Sequence, residues 1–217
     1  SWRYHHPDLS TRRNIYVMNA DGTGLRKLTD SSRDTSPAWS PKSDKIAFLS
    51  ERHGKPELLV INPDGSGLRR LAPGLHPEFI EEEGWAYWTR PVWSPDGEKL
   101  AFESENIYVV SVYETGVMNP TNDPGYDWHP AWSPDGSKIA FMSNRSGNSD
   151  VWVVNSDGSG LRNLTNTPRD EGQPTWAPDG TRIAFTSLHR VWSREFRSYV
   201  TDSDVCLINA DGVDRRN

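Results

Sequence analysis

Cysteine is nearly missing. The chain of 217 residues has one, Cys206, which excludes an internal disulfide and a thiolate metal cluster. Placed in the run DVCLIN (204–209), it reads as a small buried hydrophobe. Long apolar runs are missing too. None approaches the roughly 20 residues that a membrane-spanning helix needs, and Ser1 to Arg13 carries no signal-peptide pattern. Positive charge is short: 24 Lys and Arg stand against 30 Asp and Glu, a net charge of −6, whereas a nucleic-acid partner asks for a basic face. Catalytic motifs are absent as well. There is no Gly-x-Ser-x-Gly elbow, no His-Glu-x-x-His and no phosphate-cradling glycine loop, so no residue is assigned a catalytic role.

Turn formers and tryptophan are plentiful instead, with 17 Gly, 16 Pro and 10 Trp. The stretch from Pro130 to Thr165 shows how they are used. Ala131-Trp132 is a short apolar strand. Ser133-Pro134-Asp135-Gly136 is a turn, with Pro presetting φ and Gly taking the left-handed conformation. Lys138 to Ser143 alternates polar and apolar residues and reads as a second strand, and Asp150 to Asn155 (DVWVVN) as a β-branched and aromatic third strand. After the turn Ser156 to Gly160, Leu161 to Thr165 supplies a short fourth. One such antiparallel sheet cannot cover both its faces, so it must stack on copies of itself.

The copies are present. The first turn recurs after Trp39, Trp93, Trp132 and Trp176, a spacing of about 40–45 residues that is lengthened once. The second strand recurs as KIAFLS (45–50), KLAFES (99–104), KIAFMS (138–143) and RIAFTS (182–187). The third recurs as NIYVMN (14–19), ELLVIN (57–62), NIYVVS (106–111), DVWVVN (150–155) and DVCLIN (204–209), and the Asp-Gly turn after it returns at Asp21, Asp64, Asp157 and Asp211. The four repeated Trp residues and Trp152 are expected in the core. At these residues the sequence resembles the TolB-type propellers, built of WD40-like PD40 repeats, over nearly its whole length. The resemblance implies an all-β fold, a β-propeller of four-stranded antiparallel blades. It also implies a binding platform in the bacterial periplasm or outside the cell. The same repeat occurs as the non-catalytic propeller of some serine peptidases and in some sugar-acid lyases, so it speaks for the fold more than for the task.

Four inner strand pairs stand against five third strands. The expectation is therefore a single domain over residues 1–217, of about four blades and a half-blade, incomplete at both ends and part of a longer propeller. The alternative is closure by strand exchange. Open strand edges would invite self-association.

Candidate sites come from where the repeat is kept and where it breaks. An Asp-x-x-Pro or a close variant precedes the first strands, as Asp34, Asp127 and Asp170. Converging at a channel mouth, these carboxylates would suit a hard cation such as calcium; recurring in every unit, they fit better as caps of their own loops. Arg52, Arg145 and Arg190, after the second strands, would pair with acidic residues between blades. Three insertions interrupt the pattern: Gly74 to Arg90, Leu188 to Ser203, and the N-terminal segment. The first holds Trp85, Tyr87, Trp88 and Arg90 beside Glu81, Glu82 and Glu83; Trp128 and His129 lie in the next linker of that type. Exposed aromatic and Arg residues anchor protein interfaces, so these six are the expected partner-binding residues; the structural reading makes the insertion a small core of its own. The resemblance to lyases would imply a metal held by His5, His6, His129, His189 and Gln173, with no ligand spacing in support. The preferred function is a non-enzymatic scaffold for a protein partner, needing no cofactor. The alternatives are the substrate-gating propeller of a larger serine hydrolase or peptidase, and a metal-dependent sugar-acid lyase.

Overall fold

A computed structural model describes residues 12–77, 79–82, 85–88, 90–193 and 198–216, with backbone alone at 79–82, 85–88, 190–193 and 198–200. Among these residues the chain is all strand, with no helix. It groups into two compact units, Ser1–Ser104 with Val109–Met118, and Glu105–Tyr108 with Asn119–Asn217.

The sheets follow the repeat. β1 (Tyr16–Val17) pairs with β2 (Arg26–Lys27) as a two-stranded sheet. β3 (Asp34–Trp39), β4 (Ile46–Ser50), β5 (Glu57–Ile61) and β6 (Arg69–Leu71) form a four-stranded meander. β7 (Phe79–Glu82) and β8 (Trp85–Trp88) form a separate hairpin. The second and third meanders are β9 (Val92–Trp93), β10 (Lys99–Ser104), β11 (Asn106–Ser111) and β12 (Val117–Met118), then β13 (Asp127–Trp132), β14 (Lys138–Ser143), β15 (Asp150–Asn155) and β16 (Arg162–Asn163). The last sheet joins β17 (Asp170–Trp176), β18 (Arg182–Ser193) and β19 (Ser198–Asn209), and a bridge from Leu207 to Arg216 marks a fourth chain segment beside β19. Antiparallel four-stranded sheets at this period are the blades of a β-propeller.

Apolar alternation builds the core. In the first unit Ile15 and Leu28 meet Ile46, Phe48, Leu59 and Ile61. In the second, Ala140, Val151, Val153 and Leu164 meet Ile183, Phe185, Cys206 and Ile208. Cys206 is buried, with no disulfide. The strand-one tryptophans tie sheet to sheet: Trp93 Nε1 donates to Ala38 O at 2.9 Å, and Trp176 Nε1 to Ala131 O at 3.0 Å. Trp39 departs from the expected core and is 50% exposed. The sheet before it has β1 and β2, its outer pair, among the described residues.

Two other departures bear on function. The Asp-x-x-Pro segments, read as loops, begin the strands themselves. Each ladder shifts register next to the proline, between Thr35 and Ala38, Trp128 and Ala131, and Gly172 and Thr175. Proline cannot donate to the ladder, and a bulge absorbs the gap. The residue before it takes a left-handed φ of 52° in all three cases, Ser36, His129 and Gln173. The insertion Leu188 to Ser203 is no loop either: β18 and β19 stay in register from Arg182↔Asn209 out to Ser193↔Ser198. Val191, Trp192, Tyr199, Val200 and Thr201 favour strand, and the ribbon outruns β17, whose last pair is Asp170 with Leu188.

The turns are cross-braced. Ser133 Oγ accepts from Lys138 N and donates to Asp135, and that hydroxyl together with the Ser137 N–H and hydroxyl holds the Asp135 carboxyl down at about 2. In the second turn Asp157 accepts from Ser159 N and Oγ, and Asn155 Nδ2 donates to the same hydroxyl at 2.9 Å. Gly160 sits over that amide at φ +66°, and a Cβ there would stand 2.8 Å from Asn155 Nδ2. Gly22 shares the left-handed φ but would meet nothing within 4 Å. Gly160→Ala should therefore cost more than Gly22→Ala, about 2 against 1 kcal/mol, the smaller figure being the left-handed penalty alone. Urea unfolding of the two variants checks this; equal losses would remove the amide contact as a cause.

Candidate functional site

One end of the blades, where strand two gives way to strand three, carries a repeated set of four side chains. Asp127 opens β13 opposite Ser143, fully buried. Arg145 Nη2 donates to both its oxygens at 2.8 and 2.9 Å and Nε to Ser143 Oγ at 2.8 Å, while the guanidinium lies over Phe141 and Trp152. In the first unit Asp34, opposite Ser50, takes two bonds of 3.2 Å from Arg52, which also bonds Ser50 and covers Phe48. These pairs lie within one sheet, not between blades. Burial pushes the Asp34 carboxyl up, but hydrogen bonds from Ser31, Ser50 and Thr29 and the Arg52 charge outweigh it and hold it below the ordinary range.

In the last sheet the set is rebuilt from other residues. Asp170 is exposed and accepts from Ser149 N at 3.1 Å. The buried acid opposite Ser187 is Glu171, bonded by Arg215 at 3.0 Å and by Thr167 at 2.6 Å, with Arg215 over Phe185. Glu171 stands three residues before Pro174, as Asp34 does before Pro37 and Asp127 before Pro130; that spacing was the signal. Arg190 is on β18 opposite Thr201, and Arg215 fills the place its position suggested. Asp34 and Asp127 are each paired with an arginine. Among the described residues no group of three or more His, Cys, Asp or Glu stands close enough to hold a metal ion. His5 and His6 lie outside the described residues. Gln173 is exposed, and His189 Nδ1 lies 3.4 Å from Asp204 Oδ2.

The sheet β9–β12 breaks the set. Trp88 holds the position three before Pro91, and Asn106 stands two residues after Ser104, where Arg52 and Arg145 follow Ser50 and Ser143. Acid and arginine are replaced together, and Ser104 Oγ instead donates to His76 O at 2.8 Å. Before this sheet comes the β7–β8 hairpin, which places Trp85, Tyr87 and Trp88 opposite Glu82, Ile80 and Phe79. Their side chains lie outside the description, as does Glu83; Arg90 is exposed.

The second unit also carries an aromatic platform. Trp128 lies on β13 opposite Met142, half-buried, and Tyr126 stacks on it with ring centroids 5.9 Å apart and planes at 13°. Tyr126 is 48% exposed and is held by its backbone, whose N–H donates to Asn144 Oδ1 at 2.9 Å. Beside it, Asp123 lies 4.0 Å from Arg145, and His129 is half-buried at the bulge. Tyr126 is the residue the sequence reading passed over. Its place two residues before Trp128, at the entry to the strand, was the available signal.

Residues 74–213 match the family described as the TolB beta propeller domain, PD40. Over 48 residues the chain is 44% identical to a protein TolB homolog of Chlorobium luteolum, a match over 22% of this chain and 11% of that protein; the chain thus matches about a tenth of its curated relative's length. The fold is similar to the putative TolB from Agrobacterium tumefaciens, with a TM-score of 0.67 and 22% identity over 93% of this chain and 72% of that one. It is also similar to a puromycin-hydrolyzing peptidase of Mycobacterium tuberculosis, with a TM-score of 0.64 and 18% identity over 91% and 31% of the two chains.

Asp34 has a pH signature. Its folded value lies below the ordinary carboxylate value of 3.8, so its contribution to stability is present above that pH and lost as pH falls through the folded value. Asp34→Asn should cost about 3 kcal/mol near neutrality, by leaving Arg52 unpaired, and should flatten the fall in stability below about pH 4. Denaturant unfolding across pH 2 to 7 tests it; an unchanged acid slope would refute the assignment.

Proposed function

The chain belongs to the PD40 family of TolB beta propeller domains, and on that footing we propose that it is a non-enzymatic scaffold that binds a protein partner at the end of its blades carrying the insertions. The observation that carries this reading is the Tyr126–Trp128 stack: a large aromatic surface, exposed on one side and fixed from behind by Asn144 and the β13 ladder. Rigid aromatics of this kind contribute contact area at small entropic cost, which is why they anchor interfaces. In the second unit the β18–β19 ribbon leaves its sheet at the end that carries the Tyr126–Trp128 pair, opposite the Asp-Gly turns. Insertions of a repeat scaffold on one face commonly carry binding.

The names of the TolB relatives and the family resemblance support a setting outside the bacterial cytoplasm. Among the described residues no helix is long and apolar enough to cross a membrane. The likeness to the peptidase is one of fold alone and does not favour the accessory-propeller reading. His129 extends the proposed surface within its own unit, and Arg90, with Trp85, Tyr87 and Trp88, is proposed as a separate contact of the first unit.

Quantitative affinity capture from the cell-envelope fraction of the source organism tests the reading. A protein retained by the unaltered chain should fall at least tenfold with the pair Tyr126→Ala and Trp128→Ala. Tyr126 is exposed enough that its removal should cost under about 0.5 kcal/mol, so Tyr126→Ala alone should weaken capture without moving Tm. Capture that is indifferent to these changes would overturn the site.

A further inference from the structure

The β18–β19 ribbon carries a strand edge that β17 does not follow. Alternation along β18 decides which of its backbone groups face β17. Arg182 O accepts from Ala177 N, on the β17 side, whereas Thr181 O accepts from Ala210 N, on the β19 side. Even-numbered residues of β18 therefore direct their N–H and C=O groups towards β17, and odd-numbered ones towards β19. The ladder to β17 ends with Asp170 opposite Leu188, while the ladder to β19 runs on without a register shift to Ser193 opposite Ser198. Past Leu188, Arg190 and Trp192 thus turn their N–H and C=O groups to the side that β17 has left. Among the described residues no strand pairs with them there.

The chain leading into β17 is drawn off this edge by specific bonds. Asn148 Nδ2 donates to Thr167 O at 3.0 Å and to Arg169 O at 2.6 Å, and Ser149 N donates to Asp170 Oδ1 at 3.1 Å. Glu171 N donates to Ser149 O at 2.7 Å. The approach to β17 is tied in this way to the loop between β14 and β15, and does not run on beside β18. Native edges are commonly blunted by a proline or a bulge; residues 189–193, His-Arg-Val-Trp-Ser, have neither. A two-stranded ribbon is marginal by itself, and a third strand steadies it. The line of β17 also borders the aromatic surface. Met142 fills the space that a Cβ on Gly172 would need, and Met142 is the cross-strand neighbour of Trp128.

We propose that the protein partner is held by strand addition, which rests on the scaffold function proposed above. An extended segment of the partner lies antiparallel to β18, in the line of β17 continued past Asp170, and exchanges N–H···O=C bonds with Arg190 and Trp192. Main-chain pairing of this kind supplies affinity with little demand on sequence. Selection comes from the Tyr126–Trp128 surface alongside, which suits an apolar or aromatic side chain on the same segment.

Backbone variants test this. Arg190→Pro deletes an N–H that the ladder to β19 does not use, at an outward position where an edge strand accepts proline. It should keep the circular dichroism and Tm of the unaltered chain. Arg190→Ala keeps that N–H. In capture from the cell-envelope fraction, the protein whose retention needs Tyr126 should fall at least about tenfold with Arg190→Pro and under about twofold with Arg190→Ala. Amide hydrogen exchange followed by NMR needs no substitution. In the chain alone the Arg190 and Trp192 amides should exchange fast and those of His189 and Val191 slowly; adding the captured protein should slow the first two at least about tenfold. Protection of Arg190 and Trp192 in the chain alone, or no change on adding the protein, would overturn the proposal. Protection that rises with the chain's own concentration would assign the edge to a second copy and overturn it too. Capture kept by Arg190→Pro, or lost as fully with Arg190→Ala, would overturn strand addition while leaving the Tyr126–Trp128 site standing. An unaltered chain that retains nothing would overturn both.

Discussion

A buried carboxylate and the guanidinium that neutralises it organise one end of three sheets in this protein. The carboxylate belongs to the start of strand one, the serine beside it to the end of strand two, and the arginine turns back across the aromatic ring two residues before that serine. A charge in that position is costly to bury alone, so register becomes specific: sliding either strand by one residue would orient the acid away from its partner. The apolar faces are less discriminating, because Ile, Val and Leu exchange places among the sheets with little change in volume. Apolar burial drives the stacking, and the ion pair selects the register.

Much of this was readable from residues alone. Strands two and three, with their turns, follow from strict alternation bounded by Pro-Asp-Gly and Asp-Gly-Ser-Gly, which are local signals. What escaped depends on partners distant in sequence. Trp39 carries the same motif as Trp93 and Trp176, and only the sheet before it decides whether it is covered. Arg215 replaces an arginine expected some 25 residues earlier, because the ribbon displaced the loop that would have carried it. The acid was placed one residue early at Asp170, since an extra residue separates it from the proline; the proline is the fixed point, being the residue the bulge is built around.

The sheet β9–β12 shows the opposite arrangement. Acid and arginine are gone together, which fits a pair whose members are each costly without the other. The chain on either side is then free to differ, and there the hairpin and the aromatic pair are found.

The ribbon has a consequence in length. Beyond its last pairing with β17, β18 runs on through five residues, to Ser193. At about 3.3 Å each that is roughly 17 Å of reach. A partner held at the aromatic pair and again along the ribbon would have two footholds on one scaffold. The second would form as an intramolecular event at high effective concentration, so two weak contacts could hold as firmly as one strong one while each still exchanges quickly.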